Sequence, residues 1–548
     1  MRTRYVVRRA VRQFCGSPLL TDKLARTYGE QGIIITGGKP AQRALISQEV
    51  VTMRVPRKLL DGMRKIVGPE NVSDDPSRLR EYEQATLFDT VFPSAVVMPG
   101  STEEVQQIVE LANRESVPLI PVSSGKPRLR GESAPKVSGV IAVDLRRMNR
   151  ILRVDRKNKV TMIEPGVTYS QLIDELKEHG LRILMPLLPK SLKSAVANCL
   201  DREPITMPRF HWDSSDPLLC TEVVFGSGDL FRTGAAAGPG NLDQQWASGQ
   251  AQKNPMGPSQ FDPFRIIQGS QGTMGIVTWA TVKCEVAPDV QSVLVSGYDT
   301  LTGFQDFMYS IFRRKLVDDL FILNSTNLAC ALETNKPKIE AVRDILPKWS
   351  LILSVSGHGI LAEDELEYRL ADTLDVARES GLVLARETKG VTSAGLASLL
   401  EAPSKEPYWK LRLRGGCQEV FFITTLDKTP GLVEVFEETA TEEGFPLSDV
   451  GVYIQPTLHG ANVHCEFDIY YDAKRKAKAD VARSLYSKGC EQLMDKGAYF
   501  SRPCGPVAEA VYRRTTPETI TAMRKVKAIF DPNAVLNPGA LYSEEVKE

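Results

Sequence analysis

Gln268-Gly269-Ser270-Gln271-Gly272-Thr273-Met274-Gly275-Ile276-Val277-Thr278 is the stretch on which the fold turns. Gly269, Gly272 and Gly275 recur at every third position, so the backbone here can come close to a ligand or to another segment, and Ser270 and Thr273 add hydroxyls between them. The β-branched run Ile276-Val277-Thr278 predicts a strand leaving the glycines. A glycine-rich hairpin would explain the same letters if they stood alone. A nucleotide fingerprint of the G-x-G-x-x-G kind would not, because the strand–turn–helix context is missing.

Two distant segments change that balance. Pro118-Leu119-Ile120-Pro121-Val122 predicts a strand running into Ser123-Ser124-Gly125, with Gly131 beyond. Such a turn can aim successive N–H groups at one anion, a geometry that suits a pyrophosphate. Near the carboxyl end, a helix carrying Met523, Val526 and Ile529 stops at Asp531-Pro532, and Asn537-Pro538-Gly539 makes a tight turn.

The surrounding pattern is mixed. Ala95-Val96-Val97-Met98 is a short strand ending at Pro99-Gly100, and Ser101-Thr102-Glu103-Glu104 opens a helix with the stripe Val105, Ile108, Val109 and Ala112. Further strands are predicted at 140–145 and 160–163. From 291 to about 496, strands such as 350–356 and 419–423 alternate with helices such as 363–379 and 474–493, which predicts an antiparallel sheet with helices on one face. The expected class is α+β: an N-terminal extension over 1–55, a two-part domain over 56–288, a second domain over 289–496, and a C-terminal segment, 497–548, returning to the first.

Bulk properties narrow the function. A chain of 548 residues exceeds one hydrophobic core. Lys plus Arg and Asp plus Glu both number 68, so charge supports no nucleic-acid partner. Nine scattered cysteines, without a C-x-x-C pair, argue against a disulfide framework, a zinc ribbon or an iron–sulfur cluster, and place the chain in a reducing cytoplasm. No stretch is apolar enough to span a bilayer. The basic start, with Arg2, Arg4, Arg8, Arg9 and Arg12, reads as a frayed tail, with peripheral membrane attachment as the alternative.

Taken together, these segments resemble the vanillyl-alcohol oxidase / para-cresol methylhydroxylase (PCMH-type) family of FAD enzymes, which includes D-lactate and glycolate dehydrogenases. The resemblance rests on the strand, P-G-S-T-E-E-V and helix over 96–109, on Glu164-Pro165-Gly166-Val167-Thr168, on the hairpin letters of 221–234, and above all on 269–278 and 531–539. It implies a PCMH-type FAD-binding domain of two subdomains under an α/β cap domain that carries the substrate. It also implies FAD held by Ser123, Ser124, Gly125, Lys126, Gly131, Gly269, Ser270, Gly272, Thr273, Gly275, Ile276, Val277 and Asn537. The first phosphate loop is poorer in glycine than the family's, so Lys126, Arg128 or Arg130 is expected to supply charge there. The same loop offers no His or Tyr as a tether, so the flavin is expected to be non-covalent.

Candidate chemistry lies in Leu458-His459-Gly460-Ala461-Asn462-Val463-His464-Cys465-Glu466. Residues two apart on a strand share a face, so His464 and Glu466 point together, and a bulge at Gly460 would bring in His459. Such a face suits proton removal from a carbinol while hydride leaves to flavin N5. The hydroxy-acid members' D-G-N-x-H metal motif survives only as Asn462-Val463-His464, leaving a divalent metal at His459 and His464 and a metal-free sheet histidine as open alternatives. Tyr499 and Arg502 are similar to the aromatic-alcohol branch's substrate-binding pair, with His211, in His211-Trp212-Asp213, ranked behind them. Tyr408-Trp409-Lys410, with Arg412 and Arg414, is placed at the substrate entrance.

The expected activity is FAD-dependent dehydrogenation of an alcohol or 2-hydroxy acid, including aromatic ones. Electrons pass to an external acceptor: electron-transfer flavoprotein, an iron–sulfur protein, a cytochrome or a quinone. A dehydrogenase is favoured over an oxidase, and a homo-oligomer is expected. The alternatives are a non-redox transferase of the ether-lipid synthase kind and a non-catalytic FAD-binding subunit of a larger complex.

Overall fold

The strand and helix at 95–115 form as their letters direct. Ser101 caps the helix Thr102–Glu115, its hydroxyl accepting from the Glu104 amide, while the Glu104 carboxylate accepts from the Gly100 amide at 2.7 Å. Val105, Ile108, Val109 and Ala112 are buried against the first sheet and against the helix Arg57–Val67. The structure, a computed structural model, describes residues 55–541 apart from 85, 89–90, 130–133, 212–215 and 258–261. The N-terminal extension with its basic start, apart from Val55, therefore lies outside the described residues, as do Gly131, Arg130, Trp212 and Asp213.

Three sheets follow one another along the chain. The first holds β1 (Val72–Ser73), β2 (Ala95–Val97), β3 (Leu119–Val122) and β4 (Ile141–Asp144) in the order β1-β2-β4-β3, with β2, β4 and β3 parallel. The second holds β5 (Ile151–Asp155), β6 (Val160–Ile163), β7 (Leu181–Ile183), β8 (Leu218–Phe225), β9 (Leu230–Arg232) and β10 (Gly275–Val286). Its centre is β10, which pairs antiparallel with β6, β7 and β8.

The third sheet, order β11-β13-β12-β15-β16-β14, is antiparallel throughout. Its strands are β11 (Val290–Tyr298), β12 (Asp319–Asn324), β13 (Trp349–Gly357), β14 (Gly416–Thr424), β15 (Val450–Thr457) and β16 (Asn462–Tyr471). The mixed α+β class and the antiparallel third sheet agree with the sequence reading, but helices lie on both faces of this sheet rather than one. The helices Thr429–Glu442 and Lys476–Asp495 bury Val463, Cys465, Phe467 and Ile469, with Phe436 stacked on Phe467 at 4.0 Å. The short helices Ser325–Leu332 and Ser393–Glu401 pack on the other face, near Tyr453 and Tyr470. Opposite parity then turns His464, Glu466 and Asp468 away from the first core.

The chain's end returns to the first sheet. After the helix Pro517–Phe530, the Asp531 carboxylate accepts from the amides of Val535 and Leu536 at 3.0 and 2.9 Å, holding the turn that its letters promised. Leu119 then donates to Val535 and accepts from Asn537, both at 2.7 Å, so the segment lies along the edge of β3. Among the described residues the eight cysteines are free, and no helix is long and apolar enough to cross a membrane.

Candidate active site

The glycine stretch forms a loop braced from several sides. Gly269 donates to the Leu200 carbonyl at 2.8 Å, Asn537 Nδ2 to the Gln271 carbonyl at 2.7 Å, and Lys527 Nζ to the Thr273 carbonyl at 2.6 Å. The Ser270 hydroxyl donates to the Ile267 carbonyl just before the loop and the Thr273 hydroxyl to the Ser270 carbonyl within it, which stiffens it and leaves their lone pairs as acceptors. Gln271 and Gly272 are left-handed, at φ +51° and +69°, and a Cβ on Gly272 would lie 2.4 Å from the Pro121 ring. That contact explains the glycine: only a bare Cα lets this loop lie against the end of β3.

Between the loop and its neighbours opens a cleft of about 1540 Å³, including its mouth. One wall is Pro121 to Ser124 with Arg128, another is Ser270 to Gly272 with Gly275 to Val277, and a third comes from the segment between Pro186 and Pro204. The roof is Tyr408, Trp409 and Lys410 with Glu419, Tyr453 and Glu466 of the third sheet.

The roof carries an enclosed charge cluster. Lys410 Nζ contacts Glu419 Oε1 at 2.6 Å, Asp468 Oδ1 at 3.0 Å and Glu466 Oε1, all four side chains being buried. Glu466 Oε2 meets His464 Nε2 at 3.2 Å, and the His464 ring lies between Phe421 and Tyr453. Burial alone would lower the Lys410 ammonium, but Asp468, Glu419 and Glu466 together hold it well above its ordinary value. Burial raises Asp468 to about 7, whereas Lys410 and His464 outweigh burial at Glu466 and keep it below the usual carboxylate range. Lys410 and His464 thus favour the charged form of Glu466 on the cleft wall.

Comparisons with known proteins carry the same message. Residues 93–234 match the FAD binding domain model and 507–541 match that of the FAD linked oxidases, C-terminal domain. The chain is 24% identical to glycolate oxidase subunit GlcD of Bacillus subtilis, over 88% of this chain and 96% of that one. It is 29% identical to the 4-cresol dehydrogenase [hydroxylating] flavoprotein subunit of Pseudomonas putida, over 88% and 94%. The crystal structure of p-cresol methylhydroxylase with substrate bound superposes with a TM-score of 0.75 at 20% identity, covering 88% of this chain and 96% of that one. The chain carries an FAD binding domain, is similar to FAD-linked oxidoreductases, and has the PCMH-type fold. FAD is its cofactor, and the cleft has the walls to hold it.

Within this family fold the residues singled out by sequence fall into three groups. Ser123, Ser124, Ser270, Gly272, Gly275, Ile276, Val277 and Glu466 line the cleft. Gly125, Gly269, Thr273 and Asn537 stand behind it: a Cβ on Gly125 would meet Leu192 at 2.8 Å, and Asn537 braces the loop. Lys126 is exposed and donates to the Arg80 carbonyl, whereas Arg128 lines the cleft and donates to the Ser124 carbonyl at 3.0 Å. His464 is buried behind Glu466, and His211 is buried away from the lining. Arg502 lies over the Phe421 ring at 4.2 Å and donates to the Asp201 carbonyl, and Tyr499 is 64% exposed and pairs its backbone with Ile423.

His459 has φ +51° in the turn before β16 and donates its amide to the Pro208 carbonyl, so no bulge brings it onto the His464 face. Among the described residues the set of acids, His or Cys close enough for one metal ion is Glu419, Glu466 and Asp468. The Lys410 ammonium is in contact with all three, so the cation they require is already supplied and a metal does not fit. Arg412 is anchored on the carbonyls of Cys330 and Lys405, and Arg414 on Asp449, which leaves Tyr408 to Lys410 as that segment's contribution to the cleft. The wall from Pro186 to Pro204, with Lys190, Lys193, Asp201 and Glu203, was not anticipated; the signal for it was Pro204 and Pro189 flanking a charged stretch in an otherwise apolar region.

Proposed function

We propose that the protein dehydrogenates the CH–OH group of an alcohol or 2-hydroxy acid and passes the electrons to an external acceptor. The observation that carries this is a buried carboxylate, Glu466, held by Lys410 and His464 in the roof of a cleft whose other walls are the glycine loop and the Ser123–Ser124 turn. Held between the glycine loop and the Ser123–Ser124 turn, FAD would supply the two-electron acceptor for the oxidation of the carbinol. Glu466 accepts the hydroxyl proton as the carbonyl forms. Lys410 and His464, in contact with its two oxygens, hold the carboxylate aimed at the cleft and keep it ionised. The gathered walls exclude water and position the carbinol. These are the roles the geometry supports for Glu466 and His464; Arg502 and Tyr499 serve this reading as supports around Phe421 and Ile423.

The described cysteines are scattered and form no cluster-binding set, and one relative is named a flavoprotein subunit; both support an acceptor outside this chain. The test is anaerobic mixing of the flavin-loaded protein with alcohols and 2-hydroxy acids. Bleaching of the flavin band is the expected result, and Glu466→Gln is expected to slow it by about 100-fold or more while keeping the bound flavin. A variant as fast as the native chain would remove Glu466 from proton transfer; no bleaching by any compound would end the dehydrogenase reading.

A further inference from the structure

The turn expected to present amides to an anion lacks two of them. Gly125 spends its N–H on the Leu192 carbonyl at 2.9 Å, and Pro127 has none to give. Most cations nearby or elsewhere in the lining are drawn to other partners. Lys126 reaches outward to the Arg80 carbonyl, Lys190 donates to the Pro127 carbonyl, Lys193 lies 3.0 Å from both Asp201 and Glu203, and Lys410 is held by three carboxylates. Arg128 differs. It lines the cleft beside Ser123 and Ser124, is only 5% exposed, and rests over the Tyr82 ring at 5.1 Å. Its Nη1 donates to the Glu81 carbonyl and its Nη2 to the Ser124 carbonyl at 3.0 Å, but the buried Nε–H has no partner. Among the described residues no carboxylate touches this guanidinium; Asp144 and Glu81, which act on it from farther off, lie against Arg146. A buried N–H without an acceptor costs its full desolvation, so this place is built for an acceptor that arrives with a ligand.

We propose that Arg128 anchors the pyrophosphate of FAD, a guanidinium standing in for amides of the turn. The inference rests on FAD as the cofactor and is independent of which alcohol is oxidised. A phosphate oxygen suits the site because it accepts a charge-assisted N–H bond and offsets the burial that lowers the pKa of this guanidinium. Two carbonyls already fix the guanidinium plane, so little freedom is lost when the anion arrives. Arg128 also belongs to the wall at the end of β3, whereas Glu466 is in the roof. An anion on Arg128 is therefore on the cofactor's side of the cleft and not on the side of the proton acceptor.

The experiment strips the flavin and titrates FAD back into the native chain and three full-length variants, following the quenching of flavin fluorescence. Arg128→Gln, which keeps a donor but loses the charge, is expected to raise the dissociation constant by about 30-fold or more. Arg128→Lys, which keeps the charge but loses the fork, is expected to raise it by about tenfold or less. Lys126→Gln, on the same loop, is expected to bind FAD as the native chain does. Equal losses in the two Arg128 variants would make the residue a brace for the Glu81 and Ser124 carbonyls and overturn the proposal. Native affinity in Arg128→Gln, or an equal loss in Lys126→Gln, would overturn it too. A measurement on the native chain stands apart from any folding defect in a variant. With 15N-labelled arginine, the Nε–H signal that is missing from Arg128→Lys is expected to move downfield when FAD is added, and an unmoved signal overturns the proposal. No alcohol enters either measurement, so failure of the dehydrogenase reading would leave this result standing.

Discussion

Asp468 does not line the cleft, yet the charge state of the wall depends on it. Its carboxylate takes a hydrogen bond from Asn327 at 2.8 Å and lies 3.0 Å from Lys410, fully buried. Burial raises its pKa to about 7, well above the value of about 3.9 expected in the unfolded chain. A raised carboxylate stabilises the folded state fully below the unfolded value, and that contribution is lost as pH rises toward 7. Asp468→Asn cannot titrate and keeps an acceptor for Asn327. Its melting temperature is therefore expected to fall less between pH 4 and pH 8 than that of the native chain, as read by calorimetry across that range. An equal or steeper fall would mean that another group carries this pH dependence. At this scale the sequence showed half of the arrangement. Strand parity put His464 and Glu466 on one face, but the partnership with Lys410 depends on the register of β14 against β16, where Glu419 meets Asp468 and Phe421 meets Glu466. No local pattern encodes that pairing.

The glycine loop is the element whose conformation and whose function impose the same residue. Gly272 is left-handed and touches Pro121, so a methyl group there meets both a torsional cost and a collision. Gly272→Ala is expected to weaken FAD binding by at least tenfold, measured by flavin release on dilution, while far-ultraviolet circular dichroism stays native, because β10 begins three residues later with its own pairing to β8. Unchanged affinity would mean that the loop only braces Pro121. This element was legible because glycine spacing and a following β-branched run are local signals, and so was the turn at Asp531, whose carboxylate caps the Val535 and Leu536 amides. The wall from Pro186 to Pro204 was not legible. It has one short helix, Ala195–Leu200, and owes its place to contacts such as Ser194 Oγ with the Pro165 carbonyl at 2.5 Å and the Ser404 amide with the Pro189 carbonyl at 2.8 Å. Those partners lie far off in sequence and leave no periodic trace.

Across the whole molecule, the cleft is where all three sheets come together. Its lining draws on the end of β3, on β10 and on β14, β15 and β16, and around it the parts meet through polar contacts, such as Gln455 Nε2 with the Thr206 carbonyl, Gln271 Nε2 with the Pro503 carbonyl and the Leu320 amide with the Thr206 carbonyl, and through apolar ones, Leu129, Leu187 and Leu188 packing into the third sheet's core. A ligand that fills the cleft touches every sheet at once, so it adds to the cohesion between them. Binding to the folded state alone stabilises by RT ln(1 + [L]/Kd), about 2.7 kcal/mol when free ligand is 100-fold above Kd. The flavin-free protein is therefore expected to melt at lower temperature than the loaded one, with the third sheet losing its structure separately from the first two. Titrating FAD back should merge the two transitions and raise the melting temperature with the logarithm of free FAD. Differential scanning calorimetry over a range of FAD concentrations decides it. A single transition that ignores FAD would mean that the sheets cohere without the cofactor and that the cleft contributes nothing to their docking.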